Sequence, residues 1–137
     1  MDSFDLESVS AKIYGNWSSR MTRNFAVVGS GSIGIGWAIV FARAGNRVKV
    51  YDLDKSRLDI WTQGVNERLH VLQEEGLLNE GTETVASRIS TSLDLAESLE
   101  GAEYIQECVP EQLEIKKNLF ATLEALAGDS AIIASSS

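Results

Sequence analysis

Six consecutive residues constrain the fold of this chain more than any others. Gly29-Ser30-Gly31-Ser32-Ile33-Gly34 reads G-x-G-x-x-G. It follows directly on the apolar run Phe25-Ala26-Val27-Val28, and Ile33, Trp37, Val40, Phe41 and Ala44 then recur at helical spacing. Four apolar residues bounded by glycine are too few for a helix and read as a buried parallel strand. Strand, glycine turn and helix in this order give the motif its meaning. Gly29 allows the tight turn out of the strand. Gly31, without a Cβ, lets a pyrophosphate come up against the backbone, and Gly34 lets the helix lie close on the sheet. Ser32 and Ile33 open the helix, whose first N–H groups and partial positive charge favour phosphate. The second strand, Arg47 to Asp52, ends on an acid 18 residues after Gly34. An acid there accepts hydrogen bonds from both hydroxyls of an adenosine ribose and repels a 2′-phosphate, so NAD is favoured over NADP. Arg57 is expected to face solvent.

The rest of the chain alternates in the same way. Asp54 is placed to cap a long helix from Lys55 to about Glu75, with Leu58, Trp61, Val65, Leu69 and Leu72 on one face. Gly76 ends it, and a short helix follows Thr82. Arg88–Thr91, Tyr104–Glu107 and Ala131–Ala134 read as the third, fourth and fifth strands. A helical turn lies at Leu93–Leu99 and a helix at about Glu111–Ala127, with Leu113, Lys117, Phe120, Leu123 and Leu126 on or near one face. Such alternation predicts an α/β, doubly wound parallel sheet with strand order 3-2-1-4-5. The boundaries expected are an N-terminal extension over 1–22 and an incomplete nucleotide-binding domain over 23–137. The extension shows weak patterning and no signal-peptide core. It reads as an appended segment or a start-site artefact, since a strong strand begins just after Met21.

Composition narrows the partners. The net charge is −8, from 20 acids and 12 bases. Residues 21–93 are neutral, whereas 94–137 hold 9 acids and 2 bases, read as a solvated helical face. This balance gives no broad footprint for nucleic acid or anionic lipid, and no apolar run is long enough to span a membrane. One cysteine excludes an intrachain disulfide. No metal site is expected.

In the predicted strand order, strands one and four are neighbours whose crossovers leave in opposite directions, and a dinucleotide lies across their carboxyl ends. The loop Cys108-Val109-Pro110-Glu111 should therefore pass near the nicotinamide half. Glu111 fits two roles, a helix-start acid and a cofactor contact. Cys108 reads as a small buried strand-end residue rather than a nucleophile, with no His or basic cluster near it in sequence. His70, the single histidine, falls mid-helix and reads as an ordinary helix residue rather than a general base.

VVGSGSIGIGWAIVFARAGNRVKVYDLD, YIQECVPEQLEIKKNLF and IIASSS, in this order, resemble the N-terminal domain of the L-3-hydroxyacyl-CoA dehydrogenase family. The I-Q-E-C-V-P-E stretch is most similar to the branch containing lambda-crystallin and L-gulonate 3-dehydrogenase. The resemblance covers about residues 24–137. It implies a Rossmann-like domain in which Gly29, Gly31, Gly34 and Asp52 bind the adenosine diphosphate half of NAD. It also places Glu111 and Lys116 near the nicotinamide ribose and Ser137 at the nicotinamide end of the fifth strand. The segment from Lys55 to about Ser87 resembles the family's helical arm, which in acyl-CoA enzymes helps hold the CoA nucleotide.

The family's catalytic His follows a sixth strand, a catalytic Ser lies just beyond Ser137, and a helical domain completes the substrate site and the dimer. None of these is in the 137 residues, so the sequence holds no catalytic residue of that set. The resemblance thus implies a cytoplasmic NAD-dependent oxidoreductase of a 3-hydroxy acid or 3-hydroxyacyl-CoA, homodimeric at full length. The present chain is expected to bind cofactor without turnover. A non-catalytic NAD-binding or crystallin-like structural module is the alternative, and a flavin or S-adenosylmethionine protein a weaker one.

Overall fold

The computed structural model describes residues 22–109 and 113–136, with only the backbone of 113–116. The strands are β1 (Asn24–Val28), β2 (Arg47–Tyr51), β3 (Ile89–Ser92), β4 (Tyr104–Glu107) and β5 (Ile132–Ser135). The helices are α1 (Ser32–Arg43), α2 (Lys55–Glu74), α3 (Thr82–Ala86), α4 (Leu95–Leu99) and α5 (Leu113–Leu126). All strand pairs are parallel, in the order β3-β2-β1-β4-β5. This is the predicted topology, with ends shifted by a residue or two.

The period-two alternation of β1 explains the layers. Phe25 and Val27 face one core, shared with α1, α2 and α3 through Ile39, Phe41, Trp61, Leu69 and Val85. Ala26 and Val28 face a second core with Leu99, Ile105 and Leu123 from α4, β4 and α5. Helices therefore cover both faces of the sheet, and β1 has to be apolar at every inner position. In the first core, Phe25 and Phe41 meet edge-on with ring centroids 4.9 Å apart, and Tyr104 lies 5.4 Å from Phe41.

The apolar spacing along α1 finds part of its inner face: Phe41 is buried and Trp37 packs against the core. Ile33 and Val40 are exposed, at 58% and 37%, and the buried positions are Gly34, Ile35, Ala38, Ile39, Phe41 and Ala42. Small residues share the buried stripe with Ile35, Ile39 and Phe41 because the helix packs close, and a count of bulky side chains passes over them. The face of α2 is as expected, with Leu58, Trp61, Val65 and Leu69 buried and Leu72 packed against them. On α5, Leu123 is buried but Leu126 is exposed; Leu119 and Ala127 flank Leu123 instead.

Trp61 is 3% exposed, and its indole N–H has no acceptor among the described residues. It lines a cavity of ≈ 190 Å³ between α2 and the edge strand β3. Trp61→Phe removes the orphaned donor while giving up part of the ring area. Urea unfolding is expected to show a stability change within about 1 kcal/mol, against about 3–5 kcal/mol for truncating a packed core aromatic to Ala.

Candidate cofactor site at the carboxyl ends of the strands

The glycine turn is held on three sides. The Gly29 N–H donates to the Tyr51 carbonyl at 2.8 Å, fixing the turn to the end of β2. Gly29 has φ +100°, and a Cβ on it would lie 3.0 Å from the Cys108 carbonyl carbon and 3.1 Å from the Val109 side chain. A Cβ on Gly34 would lie 2.7 Å from the Gly29 carbonyl oxygen and 3.5 Å from Val27. Gly34 is thus required chiefly by the turn, and only secondarily by the sheet as the motif implied. Gly31 differs from both: at φ +121° it has nothing within 4 Å of where a Cβ would stand. That open space lies at the N-cap of α1, whose first turn has neither a side-chain cap nor an acid.

Asp52 follows β2 and is 6% exposed. Its Oδ2 accepts from the Ser30 N–H at 3.0 Å and the Ser30 hydroxyl at 2.6 Å; its Oδ1 accepts from the Asp54 N–H at 3.1 Å. Burial pushes this carboxyl up, but the Ser30 hydroxyl, the Ser30 and Asp54 amides and the Arg57 charge outweigh it and hold it below its ordinary value. Arg57 is exposed, as expected. Asp54 caps α2 by accepting from the Ser56 N–H at 2.9 Å.

The neighbouring crevice wall is built from β4 and β5. Glu107 is 0% exposed. Its carboxylate accepts from the Val109 N–H and from the Ser135 hydroxyl, the latter at 2.8 Å. On the other side of β4, the Tyr104 hydroxyl donates to Gln106 Oε1 at 2.6 Å and Gln106 Nε2 donates to Ser136 Oγ. Burial first, and the Cys108 charge second, push the Tyr104 phenol up to about 12. Cys108 is half-buried, with Sγ 3.6 Å from Ser136 Oγ. Two hydrogen-bonded ties thus join the carboxyl ends of β4 and β5.

Gly29, Gly31, Ser32, Ile33, Gly34 and Asp52 come together at one end of the sheet, and Cys108 and Val109 close against Gly29. Glu111 and Ser137 lie outside the described residues, as do residues 1–21 and the side chain of Lys116. Sequence reasoning missed Ser30 and Glu107. The signal for Glu107 was an acid closing β4, a strand with neighbours on both sides, where a buried acid needs a partner set. It also missed Arg68 of α2, which donates to Ser32 Oγ at 2.7 Å and ties the long helix to the first turn of α1. His70 is exposed on α2. A cavity of ≈ 570 Å³ opens at the opposite end of the strands, beside Asn24, Arg47 and Arg88, and has no part in this cradle.

An open glycine at a helix start with free amides, beside a buried strand-end carboxylate, fits a dinucleotide. Residues 24–137 match the family described as the 3-hydroxyacyl-CoA dehydrogenase NAD binding domain. The chain belongs to this family. Relatives of this NAD-binding domain include the lambda-crystallin homologs of Rattus norvegicus and Bos taurus. The first is 42% identical over 113 residues (81% of this chain, 35% of the relative), the second 45% over 114 residues (82% and 36%). The chain therefore spans about a third of the length of these curated relatives. Among solved structures, Escherichia coli 3-hydroxybutyryl-CoA dehydrogenase superposes with a TM-score of 0.78 at 30% identity, covering 85% of this chain and 25% of the other. Bound to this NAD-binding domain, the cofactor is NAD. Among the described residues, no helix is long and apolar enough to cross a membrane.

Proposed function

We propose that this domain serves an oxidoreductase that oxidises the 3-hydroxyl of a 3-hydroxy acid or 3-hydroxyacyl-CoA. NAD supplies the hydride acceptor. The observation that carries the reading is Asp52, a buried carboxylate held charged beside the open Gly31. In this reading Gly29, Gly31, Ser32, Ile33 and Gly34 cradle the pyrophosphate and Asp52 binds the adenosine ribose. Cys108, Val109, Glu111, Lys116 and Ser137 line the nicotinamide half. Glu107, through Val109 and Ser135, orients that wall. The domain runs from residue 23 to 137 behind an extension over 1–22, and the complete enzyme is a cytoplasmic homodimer acting on a small molecule, without nucleic-acid or membrane partners.

Alcohol oxidation also needs a base for the hydroxyl proton. No described residue is placed for that: His70 is exposed in mid-helix, and Glu107 is buried against two donors. The 137-residue chain is therefore expected to bind NAD in the micromolar range or weaker and to show no turnover of L-gulonate or a 3-hydroxyacyl-CoA. NADP is expected to bind at least about tenfold more weakly, because its 2′-phosphate meets the Asp52 charge. Calorimetric titration with both nucleotides tests this, and equal affinity or absent binding refutes it. The 42–45% identity to lambda-crystallin homologs favours a second reading, a structural NAD-binding module. Turnover on a 3-hydroxy substrate by a longer form of the protein would rule that out.

A further inference from the structure

We infer that Ser30 reads the adenosine ribose together with Asp52: the Ser30 hydroxyl oxygen accepts one of the two ribose hydroxyls, and Asp52 accepts only the other. The inference rests on the NAD-binding reading above and departs from the expectation that the acid takes both.

The argument is a count of acceptor sites. An ionised carboxylate offers about four lone-pair positions, two on each oxygen. In Asp52, Oδ2 already accepts from the Ser30 N–H at 3.0 Å and from the Ser30 hydroxyl at 2.6 Å, so both of its positions are taken. Oδ1 accepts from the Asp54 N–H at 3.1 Å and keeps one position free. A ribose presents two vicinal hydroxyl donors, and Asp52 has room for one of them while the turn stays as built. Breaking the Ser30 bonds would release the loop that carries Gly31, the part of the cradle a pyrophosphate needs in place.

Ser30 supplies the missing acceptor. A hydroxyl carries one proton and two lone pairs. The proton is committed to Asp52, since an ionised carboxylate has none to give, and the structure shows no other hydrogen bond to the Ser30 oxygen among the described residues. That oxygen therefore faces a ligand as an acceptor only. Ser30 is also the more accessible of the pair, half-buried where Asp52 is 6% exposed. A pair of fixed acceptors suits a vicinal diol and rejects a 2′-phosphate, which brings further acceptors and negative charge. The selectivity is then shared between strand end and glycine turn.

The test compares the 137-residue chain with Ser30→Ala and Ser30→Thr by calorimetric titration. The ligands are NAD and an NAD analogue lacking both hydroxyls on the adenosine ribose. Ser30→Ala is expected to weaken NAD about five- to tenfold, the worth of one hydrogen bond. Ser30→Thr restores binding to within about twofold, and the dideoxy analogue binds the parent chain and Ser30→Ala alike. Unchanged NAD affinity in Ser30→Ala overturns the inference. So does an equal loss for NAD and the dideoxy analogue, because that assigns Ser30 to shaping the turn alone. If the parent chain binds no NAD, the NAD-binding reading falls and the inference with it; NAD binding by the parent with no effect of Ser30→Ala leaves the reading standing and removes only the inference.

Discussion

Gly34→Ala is expected to lower unfolding stability by about 1–3 kcal/mol, the cost of overpacking, and to weaken NAD at least about tenfold. The added methyl would stand 2.7 Å from the Gly29 carbonyl oxygen, an atom of the backbone with no rotamer to change. Nor can the turn retreat. Gly29 is backed by Cys108 and Val109 at 3.0–3.1 Å from its own Cβ position, and its amide is tied to Tyr51. The turn sits between α1 and the loop after β4, so the methyl displaces either the helix or the cradle. Gly36→Ala in the same helix is the internal control. There the methyl meets only Arg68 Nη1 at 3.8 Å, and alanine in a helix interior is worth about 0.5–1 kcal/mol over glycine. Denaturant unfolding should therefore shift in opposite directions for two identical substitutions two residues apart. Equal shifts would refute the assignment of Gly34 to the turn.

Asp52→Asn is expected to weaken NAD about ten- to a hundredfold, the loss of a hydrogen bond to a charged acceptor, and to alter acid stability. The folded carboxyl lies below its ordinary value, so the native state holds fewer protons than the unfolded chain. Its stabilising contribution is complete above the unfolded value of about 4 and is lost as pH falls through the lower, folded value. The stability difference between parent and Asp52→Asn should therefore be constant near neutrality and narrow as pH drops below about 4. Thermal unfolding across that range measures it; a difference independent of pH would show that the carboxylate is not held charged by Ser30 and Asp54.

The parts legible in the sequence were those written in local pattern. β1 carries a short apolar run bounded by glycine, Asp54 precedes its helix, and the glycines mark where the chain reverses. The order of the strands followed because a parallel sheet admits few connections. What escaped were contacts between distant segments. Ser30 meets Asp52 across 22 positions, and Glu107 meets Ser135 across 28. Neither pair carries a local signature, because a polar residue looks the same whether its partner is water or a distant strand. The small members of the α1 stripe escaped for a different reason: Gly34, Ala38 and Ala42 are buried beside Ile35, Ile39 and Phe41, while bulk, not smallness, is what hydrophobic spacing weighs.

The all-parallel pairing also sets the order in which the chain can become structured. Among the described residues no two neighbouring strands are joined by a hairpin, so no pair there can form from adjacent residues alone. The central strand β1 gains one neighbour, β2, early, but its other partner β4 arrives roughly 80 residues later, Val28 pairing with Glu107. At a synthesis rate of about 5–20 residues per second, one side of the most apolar strand waits on the order of 4–16 s at the ribosome without its mate. During that interval its free edge is a template for another chain. Acquisition of structure in this domain is therefore governed by long-range closure, and the step that completes the nucleotide crevice is the same step that ends the period of greatest risk of misassociation.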